Sequence, residues 1–273
     1  MHNLLSITQS PHSQSTINLG NTISSILKAE MTLFTVCKNS DHNNDVHTEL
    51  KKTANSLYQS PTIKIANGNP EIEILKELKS NRYQLLTIGE RSHVTHPSEV
   101  LLGDTTNRIV KSSPISVLIA KGNNHSIRNI LVCTSGPQCN LEAIKASIHM
   151  CQLSQATLTL LHVGNPIPSM YTGLTQIGET LADLLKTDTP TAMHLRNCAN
   201  LLDEAQIKGE IELRHGTPTE EILRDIEQNT YDLLVIGASQ SNTIKKFLLD
   251  DISIKLANHS PISTLIVKNF IDN

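Results

Sequence analysis

The chain has no tryptophan, three phenylalanines and four tyrosines, so that 3% of its 273 residues are aromatic. Base-stacking platforms and aromatic-anchored interfaces are poorly supplied, and any core must be aliphatic. Charge of one sign is lacking too, with 23 Lys+Arg against 26 Asp+Glu, a formal charge of −3 on a sequence pI near 6.4. That balance lacks the basic footprint of a protein working on nucleic acid or anionic membrane, and neither partner is expected. Apolar runs such as LLVIG and TLTLLHV break after a handful of residues, far short of the ~18 needed to span a bilayer. The opening residues MHNLLSITQSPHS carry no basic segment and only a short apolar stretch, so export is not expected. Cys37, Cys133, Cys139, Cys151 and Cys198 are odd in number and form no CxxC pair. They read as reduced thiols of a cytoplasmic protein, neither disulfides nor zinc ligands.

What the chain does contain is itself, twice. The segment IKIANGNPEIEILKELKSNRYQLLTIG returns as IELRHGTPTEEILRDIEQNTYDLLVIG, with Gly68, Pro70, Ile74 and Gly89 recurring as Gly216, Pro218, Ile222 and Gly237 at a constant offset of 148. SSPISVLIAK, ending at Lys121, matches HSPISTLIVK, ending at Lys268, at an offset of 147; AEMTLFTV, ending at Val36, matches ATLTLLHV, ending at Val163, at 127. The first copy is therefore shorter in its middle. Two like domains follow, 1–122 and 126–273, joined at the polar KGNNHS.

Within the second copy the strand-length apolar runs RNILVCT, ATLTLLHV, EIELRH, DLLVIG and ISTLIVK alternate with amphipathic stretches at Asn140 to Leu153, Thr175 to Ala205, Pro218 to Gln228 and Asp250 to Ala257. Thr217 stands at an N-cap before Pro218, and Pro190 is expected to break the longest helix. The first copy repeats this order with a shorter second helix around Asp45 to Leu57. Strands alternating with helices imply a parallel sheet with right-handed crossovers. The expected fold is two tandem doubly wound, Rossmann-like domains, each a five-stranded parallel sheet of order 3-2-1-4-5.

In such sheets ligands bind outside the carboxyl ends of the strands, where strand order reverses. In the first copy that crevice selects Thr8 after the first strand, Val36 at the end of the second, Gly89, Arg91 and Ser92 after the fourth, and Gly103 and Thr105 where the next helix starts. In the second copy it selects Ser135, Val163, Gly237, Gln240, Asp250 and Asp251.

At these residues the sequence resembles the universal stress protein family in tandem form. The resemblance rests on the G-x-P-x-x-x-I-L segment, the YDLLVIG strand with its loop, and the closing EVLLGDTTNRIVKSSPISVLIAKG, and it covers nearly the whole chain. It implies the adenine-nucleotide alpha-hydrolase-like fold. Nucleotide-binding members carry G-x-x-G-x9-G-[ST] after the fourth strand and an Asp that contacts adenine at the end of the first. The glycines admit phosphates to the backbone, and the helix start after the last glycine offers free N–H donors.

Here that motif is eroded. The first copy keeps Gly89, has Ser92 at the second glycine and Gly103 one residue late; the second keeps only Gly237, with Gln240, Asp250 and Asp251 at the other places. Thr8 and Ser135 replace the Asp. Carboxylates at a helix start cap it and repel phosphate, so the expectation is at most one weak ATP site, in the first copy, with Arg91 and Thr105 as phosphate contacts. The function implied is a cytoplasmic stress-response or regulatory protein with no required cofactor and with catalysis slow or absent. The alternative is a nucleotide-independent module of the same fold that holds a protein or small polar ligand.

Other constellations carry less. His93 and His96 have no third metal ligand beside them unless a helical segment brings Glu99 within reach, so a polar loop is expected, and the tract Asp41 to His47 reads as a turn. Thr134-Ser135-Gly136-Pro137 matches the pyrophosphate loop of adenylating ATPases only in part, and no nucleophile motif is present. Each copy ends in an apolar strand that would be an aggregation hazard if left open. The two fifth strands are expected to pair, as single-domain family members do when they dimerise; further homo-oligomerisation is left open.

Overall fold

The structure is a computed structural model, and it describes residues 1–8, 13–37, 43–79, 82–90, 102–122, 125–137, 141–166, 180–238 and 245–268, with the side chains of 43–45 and 245–251 left aside. The first half runs β1 (His2–Ile7), α1 (Ser13–Ile26), β2 (Glu30–Cys37), α2 (Asn43–Ala54), β3 (Thr62–Asn67), α3 (Pro70–Leu78), β4 (Leu85–Gly89), α4 (Asp104–Ser112), β5 (Ser116–Ala120). The second runs β6 (Asn129–Thr134), α5 (Glu142–Ser154), β7 (Thr157–Gly164), α6 (Leu181–Leu184), α7 (Pro190–Glu204), β8 (Gly209–His215), α8 (Pro218–Gln228), β9 (Leu233–Gly237), α9 (Lys245–His259), β10 (Ser263–Val267).

Local chemistry explains several boundaries. Asn69 caps α3 by accepting from the Glu71 and Ile72 amides, with Pro70 opening the helix, and Thr189 does the same for α7 through the Ala192 amide ahead of Pro190. Pro190 thus divides α6 from α7. Thr217 occupies the cap position of α8, but its side chain makes no capping hydrogen bond. Before α3 and α8 the chain turns at Gly68 and Gly216, whose φ of 134° and 152° only glycine adopts freely.

The strands form one ten-stranded sheet, β3-β2-β1-β4-β5-β10-β9-β6-β7-β8. Each half has the order 3-2-1-4-5 and is parallel throughout; the halves join where β5 and β10 run antiparallel, with Leu118 opposite Leu265. Alternate residues face opposite layers, so Leu118 and Leu265 enter one apolar core and Val117 and Ile266 the other. Both cores run across the boundary between the halves.

Side chains fasten the same boundary reciprocally. Lys121, 5% exposed, follows β5 and donates through Nζ to the carbonyls of Asn258 (3.2 Å) and Ser260 (2.7 Å) at the end of α9. Lys268 follows β10 and donates to those of Val110 (3.2 Å) and Ser113 (2.5 Å) at the end of α4. A cation at a helix C-terminus meets the negative end of the helix dipole. Ser263 Oγ accepts from the Lys121 amide, and Ser116 Oγ from that of Lys268, each at 3.1 Å.

Beneath the outer strands the halves diverge. In the first, Lys64 Nζ lies 2.5 Å from Glu77 Oε1, which also accepts from Tyr83 Oη at 2.7 Å. In the second, Glu212 replaces Lys64, and Arg214, two residues on and so on the same face of the strand, pairs with Asp225. Asp225 is wholly buried, and its Oδ1 also accepts from Asn229 (3.0 Å).

Candidate functional site

The carboxyl ends of β1 and β4 border the first crevice. Thr8, just past β1, is engaged by the first residue of α1: its amide donates to Ser13 Oγ (3.1 Å), the Ser13 hydroxyl donates to the Thr8 carbonyl, and the two hydroxyl oxygens stand 3.1 Å apart. Gly89 closes β4 against α1, and a Cβ built there would run into Oγ1 of the buried Thr16. A larger residue there requires the Thr16 side chain to turn aside, whether or not a ligand is present. Thr106 Oγ1 donates to the Gly89 carbonyl (3.4 Å), which brings the start of α4 to the strand end. Gly103 is the N-cap of α4 and supplies no side-chain capping bond, so the first amides of the helix lack a capping side chain. Thr105 is half-buried in that first turn, and Val36, paired with Ala66, packs its side chain against the core. Arg91, Ser92, His93 and His96 lie outside the described residues.

The second crevice has the same frame and a different filling. Ser135 is exposed beyond β6, Val163 lies near the end of β7, and Gly237 ends β9. A Cβ at Gly237 would meet the Ala143 methyl at 3.8 Å, an ordinary contact. Ser253 Oγ donates to the Gly237 carbonyl at 3.3 Å, as Thr106 does to Gly89. Gln240 lies outside the described residues. One expectation is corrected: α9 begins at Lys245, not at Asp250. Asp250 and Asp251 are its sixth and seventh residues, inside the helix, so they are not its caps. KKFLL is made of good helix formers with no glycine or proline to stop it, and the helix extends backwards through it.

The second crevice also gathers a polar cluster that sequence reasoning missed. Thr134 Oγ1 lies 2.7 Å from His194 Nε2 and accepts from the Gly136 amide at 3.2 Å; His162 Nδ1 lies 3.1 Å from the Thr134 carbonyl, and Cys198 Sγ 3.6 Å from His194 Nε2. Both imidazoles are buried. Burial, then the neighbouring His162, holds the His194 pKa below its ordinary value. The spacing of His194 and Cys198, four apart on one helix face, is the signal that could have found them. His162 replaces Thr35 of the first half, whose hydroxyl donates to the Ile7 carbonyl at 3.0 Å. Cys133 on β6 has its thiol pKa pushed up by burial, then by Asp225, and such a thiol is inert. Among the described residues no group of three or more His, Cys, Asp or Glu is placed to hold a metal ion.

The frame has known counterparts. A sequence model of the universal stress protein family matches residues 22–121 and 126–268. The universal stress protein YxiE of Bacillus subtilis is 26% identical over 144 residues, 51% of this chain and 97% of that one. The stress response protein NhaX of the same organism is 24% identical over 160 residues, again 51% of this chain and 96% of its own length. Among solved structures, a universal stress protein from Archaeoglobus fulgidus superposes with a TM-score of 0.75 over 98% of both chains at 17% identity.

Proposed function

The chain belongs to the universal stress protein family, in tandem form, and from that premise we propose that it is a cytoplasmic stress-response or regulatory protein that binds its ligand without turning it over. The repeats are taken as 1–122 and 126–273. The proposed ligand is an adenine nucleotide, held weakly and only in the first repeat. The observation that carries this reading is the start of α4, where Gly103 leaves the first helical amides uncapped next to Thr105 and close to the end of β4. In the second repeat the place equivalent to Gly103 falls at Asp250 and Asp251, inside α9, where the helical amides are already bonded to the preceding turn. The Ser13 contacts occupy the polar groups of Thr8, at the position where nucleotide-binding relatives offer a carboxylate to adenine, so the phosphate end supplies most of the affinity.

Calorimetric titration of the full chain with ATP, with and without Mg²⁺, tests the proposal. One weak site is expected, lost in Gly103→Val and retained in Gly237→Ala. Low-micromolar binding that survives Gly103→Val would overturn it. A second reading has its own observation, since Thr16 closing on Gly89 and Ser13 on Thr8 fill the first crevice with protein. On that reading the crevices are scaffolding and the chain is a nucleotide-independent interaction module. Protein denatured straight after purification would then release no nucleotide, and the titration would be flat.

A further inference from the structure

Two borders of the first crevice carry glycine, Gly89 and Gly103, and the residue beside each is linked to the end of one helix from the other repeat, Leu102 directly and Glu90 through Lys121. Next to Gly103, the Leu102 amide donates to Asn258 Oδ1 of α9 at 3.1 Å. Asn107 Nδ2, in α4, donates to the same oxygen at 3.2 Å and to the Leu102 carbonyl at 3.0 Å, closing a small ring of hydrogen bonds around the helix start. Next to Gly89, Glu90 lies 3.6 Å from Lys121 Nζ, and that ammonium also binds the Asn258 and Ser260 carbonyls. Asn258 is thereby fixed from three sides: its carbonyl by Lys121, its Oδ1 by Leu102 and Asn107, and its Nδ2 through the Ile254 carbonyl at 2.8 Å. An asparagine so engaged has one rotamer and one amide orientation compatible with the network.

The arrangement is one-sided. At the place equivalent to Asn258 the first repeat has Lys111, which is exposed, and at the place equivalent to Glu90 the second repeat has Ala238. The lysine-to-helix contacts are reciprocal, but among the described residues the side-chain ring is built only toward the first crevice, the one that keeps Gly103. We infer that Asn258 is a positioning residue for the first repeat: the second repeat acts as a brace that sets where α4 begins, and so how its first amides face the end of β4. The part of this that concerns ligand affinity rests on the nucleotide reading above; the part that concerns the α4 start does not.

The test separates the two. Amide hydrogen exchange of the full-length chain is compared for the unsubstituted protein, Asn258→Ala and Asn258→Asp, alongside titration with ATP. In Asn258→Ala, the amides of Leu102 and of Asn107, which donates to the Gly103 carbonyl at 3.0 Å, are expected to exchange about three- to tenfold faster, the loss of one or two hydrogen bonds, while Leu86 and Leu118 in the central strands keep their protection. ATP affinity falls by a similar factor. Asn258→Asp, which keeps an acceptor for Leu102 and Asn107, restores both; a residue that merely fills space would be better replaced by Ala than by a charged group. Should Asn258→Ala not fold, Asn107→Ala removes the α4 side of the same ring and puts the same question. Unchanged Leu102 exchange in a folded Asn258→Ala chain overturns the brace. A flat ATP titration of the unsubstituted protein overturns the nucleotide reading alone, because the exchange result still stands.

Discussion

The two crevices share a hydrogen bond from the closing helix to the strand-ending glycine and differ in what faces that glycine. In the first repeat it is the hydroxyl of Thr16, which a Cβ would have to displace; in the second it is the methyl of Ala143 at ordinary distance. The first repeat therefore keeps the glycine that starts the helix and packs a hydroxyl against the one that ends the strand, whereas the second has room for a methyl at its strand-end glycine and has no glycine at the helix-start place. The same residue type at equivalent positions serves two purposes, close packing in one copy and none that a larger residue would disturb in the other. The outer strands show the same divergence, a partly exposed Lys64–Glu77 pair against Arg214 on a wholly buried Asp225.

The ion pairs give the largest contrast. Arg214→Met strands Asp225 as an uncompensated buried charge and is expected to cost about 3–5 kcal/mol, whereas Lys64→Met, whose partner retains some contact with water, should cost under about 1 kcal/mol. Urea unfolding of the two variants decides the matter, and equal losses would mean that the pairs are equivalent after all. Next, Gly89→Ala forces a methyl into Thr16 and is expected to cost about 1–3 kcal/mol, while Gly237→Ala should change stability by less than about 1 kcal/mol. Adding Thr16→Ala to Gly89→Ala should recover most of the loss; strictly additive costs would show that the contact is not the cause.

The smallest effect is on pH dependence. His194 is held below its ordinary pKa of 6.5 by burial and then by His162, so the folded state favours the neutral ring. The stability this contributes is present above pH 6.5 and is lost as pH falls from there toward the folded pKa. Thermal midpoints measured between pH 7.5 and 5.5 should drop less in His194→Gln. The slope that remains belongs in part to His2 and His125, which burial also lowers. An unchanged slope in His194→Gln would remove the second crevice from the acid response.

Much of the frame was legible because it depends on patterns that survive divergence: apolar runs of strand length, Pro190 between two helical stretches, and two terminal strands too apolar to leave open. The start of α9 was not. The amphipathic stretch Asp250 to Ala257 covers only the later part of that helix, and amphipathic patterning is blind to an upstream segment such as KKFLL that carries no break. The Thr16 contact was also hidden, since it depends on how closely α1 approaches β4, a distance that no spacing within either segment encodes. Asn258 escaped for the opposite reason: repeat comparison draws attention to what the copies share, and the brace consists of what they do not. Lys121 and Lys268 stand at matched positions after the fifth strands, and a charge ending a buried strand twice over was a sign that each meets a partner of its own.

The antiparallel seam bears on how the chain is made. Every other strand pairing joins segments within one half, but β5 must find β10, and Leu118 and Leu265 are separated by 147 positions along the chain. Pairings over so long a loop form late, after the local units have collapsed. Because β10 follows the other nine strands in the order of synthesis, the first half waits on the ribosome with the β5 edge unsatisfied. Until then the first half has two open edges, β3 and β5, and the apolar β5 edge carries the mispairing hazard that the finished seam removes.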